Sequence, residues 1–166
     1  MKKVGVILLV MVGMLAGAAV QQTLAQEKKA QPSLNLGIQT NIWNGTSFDN
    51  AWFTLDARVG IALGKSFEIS PEAMFIVDDS FDFDLVFLYP GVMLNYKVGN
   101  FFVGAGAVLP IAFGGGESDT GNIAPKLNVG YKFGHLMVTA YVFTWTEPEI
   151  DFLDMNFAGV TLGYKF

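Results

Sequence analysis

Carboxylates and bases recur at close spacing in two stretches of the chain. Asp56 and Arg58 stand two residues apart in "FTLDARV", Glu68 and Glu72 follow in "FEISPEA", and Lys126 stands alone in "APKLN". Paired carboxylates beside a base are the material of general acid–base catalysis. In a tight interior the same residues form an ion-pair network, because a guanidinium offers five donors and can be held by two carboxylates at once. A further acidic group, Asp78, Asp79, Asp82 and Asp84 in "DDSFDFD", presents hard oxygen ligands suited to Mg²⁺ or Ca²⁺ but lacks the glycine of an EF-hand loop. Nucleophilic catalysis would need an imidazole near a hydroxyl. The single histidine, His135, falls in a short "GH" connection, whereas Ser47, Ser80 and Ser118 fall in long ones. Cysteine is absent, which removes disulfides, thiolate metal sites and cysteine nucleophiles. "GGGESDTG" (114–121) reads as a hairpin loop, since no helix follows to make it a phosphate cradle. No catalytic residue and no cofactor are expected, and the metal question stays open at the aspartates.

The elements that must position these side chains are strands. From Leu34 onward the chain falls into eight runs of period two, at 34–43, 52–63, 67–77, 84–97, 101–113, 122–133, 136–146 and 154–166. In "NIAPKLNVGYKF", Ile123, Pro125, Leu127, Val129, Tyr131 and Phe133 point one way, and Asn122, Ala124, Lys126, Asn128, Gly130 and Lys132 the other. The second run sets Phe53 to Leu63 against Thr54, Asp56, Arg58 and Gly60 in the same manner. Connections alternate between tight ones ("GKS", "VGN", "GH") and longer acidic ones ("NGTSFDNA", "DDSFDF", "GGGESDTG", "TEPEIDFL"). If "GKS" closes a hairpin between Leu63 and Phe67, Arg58 comes directly opposite Glu72, with Asp56 and Glu68 as inward neighbours. An uncompensated charge there would cost several kcal/mol. The spacing therefore predicts a plugged interior network of Asp56, Arg58, Glu68, Glu72 and Lys126, with amides from Asn35, Gln39, Asn41 and Asn128.

Two barrels fit eight such strands: a soluble one with the apolar face inside, and a membrane one with it outside. Glycine decides between them, because Gly37, Gly60, Gly91, Gly104, Gly106, Gly130, Gly159 and Gly163 share the polar face. An eight-stranded barrel has room inside only for packed side chains, so small residues there relieve crowding. Aromatic residues of the apolar face gather at the short-turn edge as a girdle of Phe67, Tyr96, Phe101, Tyr131, Phe133, Tyr164 and Phe166. A second set, Trp43, Trp52, Phe53, Phe113 and Trp145, falls near the long loops on mixed faces. Lys65, Lys97, Lys132 and Lys165 fall at the short-turn rim, whereas the long-loop rim is acidic throughout. Pro71, Pro90, Pro110 and Pro125 fall within the runs and each removes a ladder donor, so bulges or breaks are expected there.

The first 25 residues carry two lysines, an apolar run and a small-x-small site at Thr23-Leu24-Ala25, and read as a secretory signal peptide. Residues 26–33 read as a polar lead-in, and 34–166 as the barrel. A mean hydropathy of +0.42, dispersed as alternation, agrees with strands that cross a membrane. The net charge of −5 argues against nucleic acid as a partner. Over 34–166 the chain resembles small bacterial outer-membrane β-barrels of the OmpA/OmpX type: all-β, eight antiparallel strands, up and down. The terminal "VTLGYKF" resembles the signal such proteins show to the barrel assembly machinery. The resemblance implies assembly by that machinery, location in the bacterial outer membrane, and outer-membrane lipid and lipopolysaccharide as surroundings. The chain closes on barrel residues, so no peptidoglycan-binding domain is expected, and no motif indicates an oligomer. The leading expectation is a non-enzymatic barrel presenting four acidic loops for envelope stabilisation or adhesion. The loops are then either a solvated crown or a divalent-cation bridge to lipopolysaccharide. The competing expectation is a narrow porin-like channel for small solutes.

Overall fold

The computed structural model describes residues 30–42, 51–77, 85–114, 117–144 and 156–166. Alternation of large apolar with small or polar residues produces ten strand segments. These are β1 (Ala30–Asn41), β2 (Ala51–Leu63), β3 (Phe67–Val77), β4 (Leu85–Val98), β5 (Phe101–Val108), β6 (Ile111–Gly114), β7 (Glu117–Thr120), β8 (Ala124–Phe133), β9 (Leu136–Thr144) and β10 (Asn156–Lys165). All pairings are antiparallel. The order β3-β2-β1-β10-β9-β8-β5-β4 closes on itself through β3 and β4. β6 carries β5 onward against β4, and β7 pairs with β6, so the ten segments make the eight staves of a closed barrel. The tight turns at Gly64, Gly99 and Gly134 hold φ of 78°, 61° and 64°, a left-handed conformation that glycine adopts without a Cβ penalty.

The sides of the barrel follow the alternation. Leu36, Ile38, Leu94, Val103, Leu127, Val129, Val160 and Leu162 are exposed on the outside, while Asn35, Gln39, Asp56, Lys126, Asn128, Thr139 and Thr161 are buried inside. A continuous apolar exterior on a closed sheet is the surface that a bilayer solvates, and closure leaves no unpaired edge within it.

The strand boundaries depart from the expected ones in places with a chemical cause. β1 begins at Ala30, inside the segment read as a lead-in, because Ala30 to Ser33 pair with Ile61 to Arg58 of β2. The fifth run breaks at Leu109-Pro110. Gly91 faces Val108 and Leu88 faces Ile111, three residues on each side, so no residue is inserted. The gap is a loss of donors, since Pro90 and Pro110 meet there and neither has an N–H; Leu109 N donates to the Pro90 carbonyl across it at 2.8 Å. A true insertion lies on the next stave. From Ile111 opposite Thr120 to Val108 opposite Ala124 is three residues on one side and four on the other, a bulge within 121–123. Part of the "GGGESDTG" loop is therefore strand, with Glu117–Thr120 laddered to Ile111–Gly114. Pro71 keeps its place opposite Val92 of β4, and the β2–β3 ladder skips the pairs between Arg58–Glu72 and Ile61–Ile69. Pro125 faces Ala107 of β5 without interrupting β8.

Candidate functional site

Among the described residues, ionisable side chains converge inside the barrel, and they do so at two heights. β2 projects Asp56 and Arg58 inward on alternate residues, and β3 sets Glu72 opposite Arg58. Arg58 Nε lies 2.5 Å from Asp56 Oδ2 and 3.3 Å from Glu72 Oε2. Glu72 Oε1 receives Lys126 Nζ of β8 at 2.5 Å across the lumen. Asn35 Nδ2 donates to the Asp56 carbonyl at 3.1 Å. The Lys126 ammonium also lies 4.7 Å from the centre of the Tyr141 ring, whose hydroxyl donates to Gln39 Oε1 at 3.0 Å. Two anions and two cations thus neutralise one another in a tier that water barely reaches.

Glu68 belongs elsewhere. The five residues expected as one network divide four to one, because Glu68 lies nearer the short turns and is taken by other bases. Its Oε2 lies 3.2 Å from Lys97 Nζ and 3.6 Å from Lys132 Nζ, and its Oε1 accepts from Ser70 Oγ at 3.2 Å. Asn95 Nδ2 donates to Ser70 Oγ at 3.1 Å. Lys97 and Lys132, expected only as rim charges, are the partners that the sequence reading did not assign to Glu68.

Above the ionic tier, toward the long connections, the lumen is apolar. Met74, Ile76, Tyr89, Val108, Tyr141, Phe143 and Phe157 are buried together, with Trp52 and Phe87 packed against them. Five rings form a circuit: Trp52–Phe87 at 5.4 Å, Phe87–Tyr89 at 6.2 Å, Tyr89–Phe143 at 5.1 Å, Phe143–Phe157 at 5.0 Å and Phe157–Trp52 at 6.0 Å between centres. This aromatic tier was not expected. Its signal lay in the parity of each run, since Phe157 shares the face of Gly159 and Thr161, and Phe143 that of Tyr141 and Thr139.

Glycine lets these side chains in. A Cβ on Gly163 would fall on the Asn35 amide, one on Gly159 on the Tyr141 ring, and one on Gly106 at 2.7 Å from Met93 Sδ. The space over Gly104 and Gly106 is filled by Asn95, Asn128 and Met93.

The girdle residues lie outside, at the short-turn end. Phe67 contacts Tyr96 with ring centres 5.1 Å apart, Phe101 contacts Tyr131 at 4.9 Å, Tyr131 contacts Phe133 at 4.5 Å, and Tyr164 contacts Phe166 at 5.3 Å. His135 stacks on Tyr164 at 5.7 Å, and its Nδ1 is 3.0 Å from the Lys165 carbonyl. Of the second aromatic set, Trp52 joins the interior circuit, Phe53 faces outward, and Trp43 and Trp145 lie outside the described residues. Asp78, Asp79, Asp82 and Asp84 also lie outside the described residues.

No protein-family model and no curated protein sequence matches the chain. Solved structures do. The crystal structure of Neisserial surface protein A (NspA) superimposes with a TM-score of 0.62 at 10% identity, covering 82% of this chain and 95% of that one. A de novo designed transmembrane β-barrel gives 0.52 at 10% identity over 82% and 95%. The N-terminal barrel domain of Pseudomonas aeruginosa OprF gives 0.51 at 11% identity over 82% and 97%. At such identities the likeness is one of backbone, and it establishes that the chain has the fold of small eight-stranded outer-membrane β-barrels.

Proposed function

We propose that the protein is a non-enzymatic barrel of the bacterial outer membrane that holds four acidic loops at the cell surface for envelope stabilisation or adhesion. Export would follow from the signal peptide of residues 1–25, and insertion from recognition of the terminal "VTLGYKF" by the barrel assembly machinery. The observation that carries this reading is the filling of the lumen. An ion-pair tier beneath an aromatic tier supports a rigid post more than a conduit. A bilayer-facing exterior and a lumen packed with side chains among the described residues favour the loops as the place of function. There Asp78, Asp79, Asp82 and Asp84 would hold Mg²⁺ or Ca²⁺ against the phosphates of lipopolysaccharide. The test is twofold. Cells lacking the protein, or carrying the four aspartates as asparagines, should become more sensitive to chelators and detergents, or lose adhesion. In planar bilayers the purified protein should give no steady openings. Steady openings that change when Glu72 is neutralised would favour the narrow solute channel instead.

A further inference from the structure

We propose that a monovalent anion of halide size binds inside the barrel at its short-turn end, in a cavity bordered by Arg58, Ser70, Asn95, Lys132 and Lys165. The cavity measures about 20 Å³ and opens below the ionic tier, with Glu68 also on its wall. That is room for one water-sized species and too little for a phosphate or a carboxylic acid.

Charge selects an anion over water. The tier above is already neutral, with Asp56 and Glu72 matched by Arg58 and Lys126. At the level of the cavity, Lys97 and Lys132 share one oxygen of Glu68. Lys165 borders the same cavity and has no carboxylate at ion-pair distance among the described residues. Three ammonium groups therefore stand about one carboxylate, in a partly buried setting where solvent screens charge less than at an open surface.

Hydrogen bonding points the same way. Arg58 is 5% exposed, and its Nη2 is buried without a hydrogen-bond partner although the residue borders the cavity. A guanidinium stays protonated, so this N–H needs an acceptor, and a buried donor left without one is costly. A halide supplies the acceptor and the negative charge together. A water would supply only the acceptor. Glu68 limits the site to a single charge, and its own oxygens are already turned to Lys97, Lys132 and Ser70.

The proposal is independent of what the loops do, and it is tested on the full mature protein in detergent. Thermal midpoints are measured in sodium chloride, sodium bromide and sodium gluconate at constant ionic strength, and crystals grown in bromide are examined at the bromine edge. The expected results are a saturable rise in the midpoint with chloride or bromide, and an anomalous peak beside Arg58 Nη2 and Lys132 Nζ. Lys132→Met and Lys165→Met should each raise the half-saturating halide concentration about tenfold, the loss of one charge-assisted contact. Lys65→Met, in the exposed turn, should leave it unchanged. Equal midpoints in all three salts, or a water with no anomalous signal in the cavity, would overturn the proposal. The wild-type titration suffices if neither lysine variant folds.

Discussion

Replacing Glu72 by glutamine removes the carboxylate that faces both cations of the ionic tier. Lys126 Nζ lies 2.5 Å from one oxygen and Arg58 Nε 3.3 Å from the other, and the side chains are 0–5% exposed. At an effective dielectric of about 20, a contact of that length to Lys126 carries roughly 7 kcal/mol of gross attraction, and the Arg58 contact roughly 5. Desolvation of the three groups offsets most of it, so the net loss on breaking the cluster is about 3–5 kcal/mol. Arg58 retains Asp56 as a partner, which places the loss mainly on Lys126, left charged and fully buried. Lys126→Met should therefore recover much of the stability that Glu72→Gln removes. The assay is equilibrium urea unfolding in lipid vesicles, followed by tryptophan fluorescence and by the shift between unboiled and boiled electrophoretic mobility. A double-mutant cycle on Glu72 and Lys126 should give a coupling of about 2 kcal/mol or more, near the upper end for residues in contact. A single-variant cost below about 1 kcal/mol with no coupling, as for a hydrated surface pair, would refute the packed ionic tier.

Four further outcomes follow from the packing and from the assignment of faces. Gly104→Val places a Cβ 2.5 Å from Asn128 Oδ1 and nearer still to Asn95 Oδ1, so it should destabilise by about 1–3 kcal/mol in the same unfolding assay. Phe157→Ala opens the aromatic circuit between Trp52 and Phe143, and should cost about 3–5 kcal/mol and shift the tryptophan emission to longer wavelength. Leu162→Lys puts a charge on the lipid face between Leu36 and Val138, with a loss of about 2–4 kcal/mol if the position lies near the bilayer midplane. A spin label on Leu127 should be quenched by oxygen in the bilayer, and one on Asn128 should not. The reverse pattern would invert the assignment of faces.

Much of this architecture can be read along the chain because strand geometry is local. Side chains alternate between faces by residue number, so Asp56, Arg58 and Glu72 belong to one side as soon as the strands are recognised. The "GKS" turn places Arg58 opposite Glu72 by counting alone. Prolines were legible as trouble but not as to kind. Pro90 and Pro110 face a common gap in an unshifted ladder, while the inserted residue sits beyond it at 121–123. Which donors are missing together depends on which strands are neighbours, and no single run contains that information. The aromatic tier depends on neighbouring strands for a related reason. The parity of Phe143 and Phe157 turns them inward along each run, but only the closed interior brings their rings together with Trp52 and Tyr89.

The residues themselves determine strand content, the sidedness of each strand, the positions of the glycines and the short turns that set hairpin register, since all of these arise from backbone sterics over a few bonds. Closure decides the rest. Lys126 meets Glu72 from fifty-four positions away, and Tyr141 meets Gln39 from one hundred and two, because facing walls of a barrel approach only when the sheet is complete. The same closure assigns Glu68 to Lys97 and Lys132, leaving it out of the group to which its sequence neighbours belong. Contacts across a lumen depend on strand number, stagger and tilt taken together, and those are properties of the whole sheet.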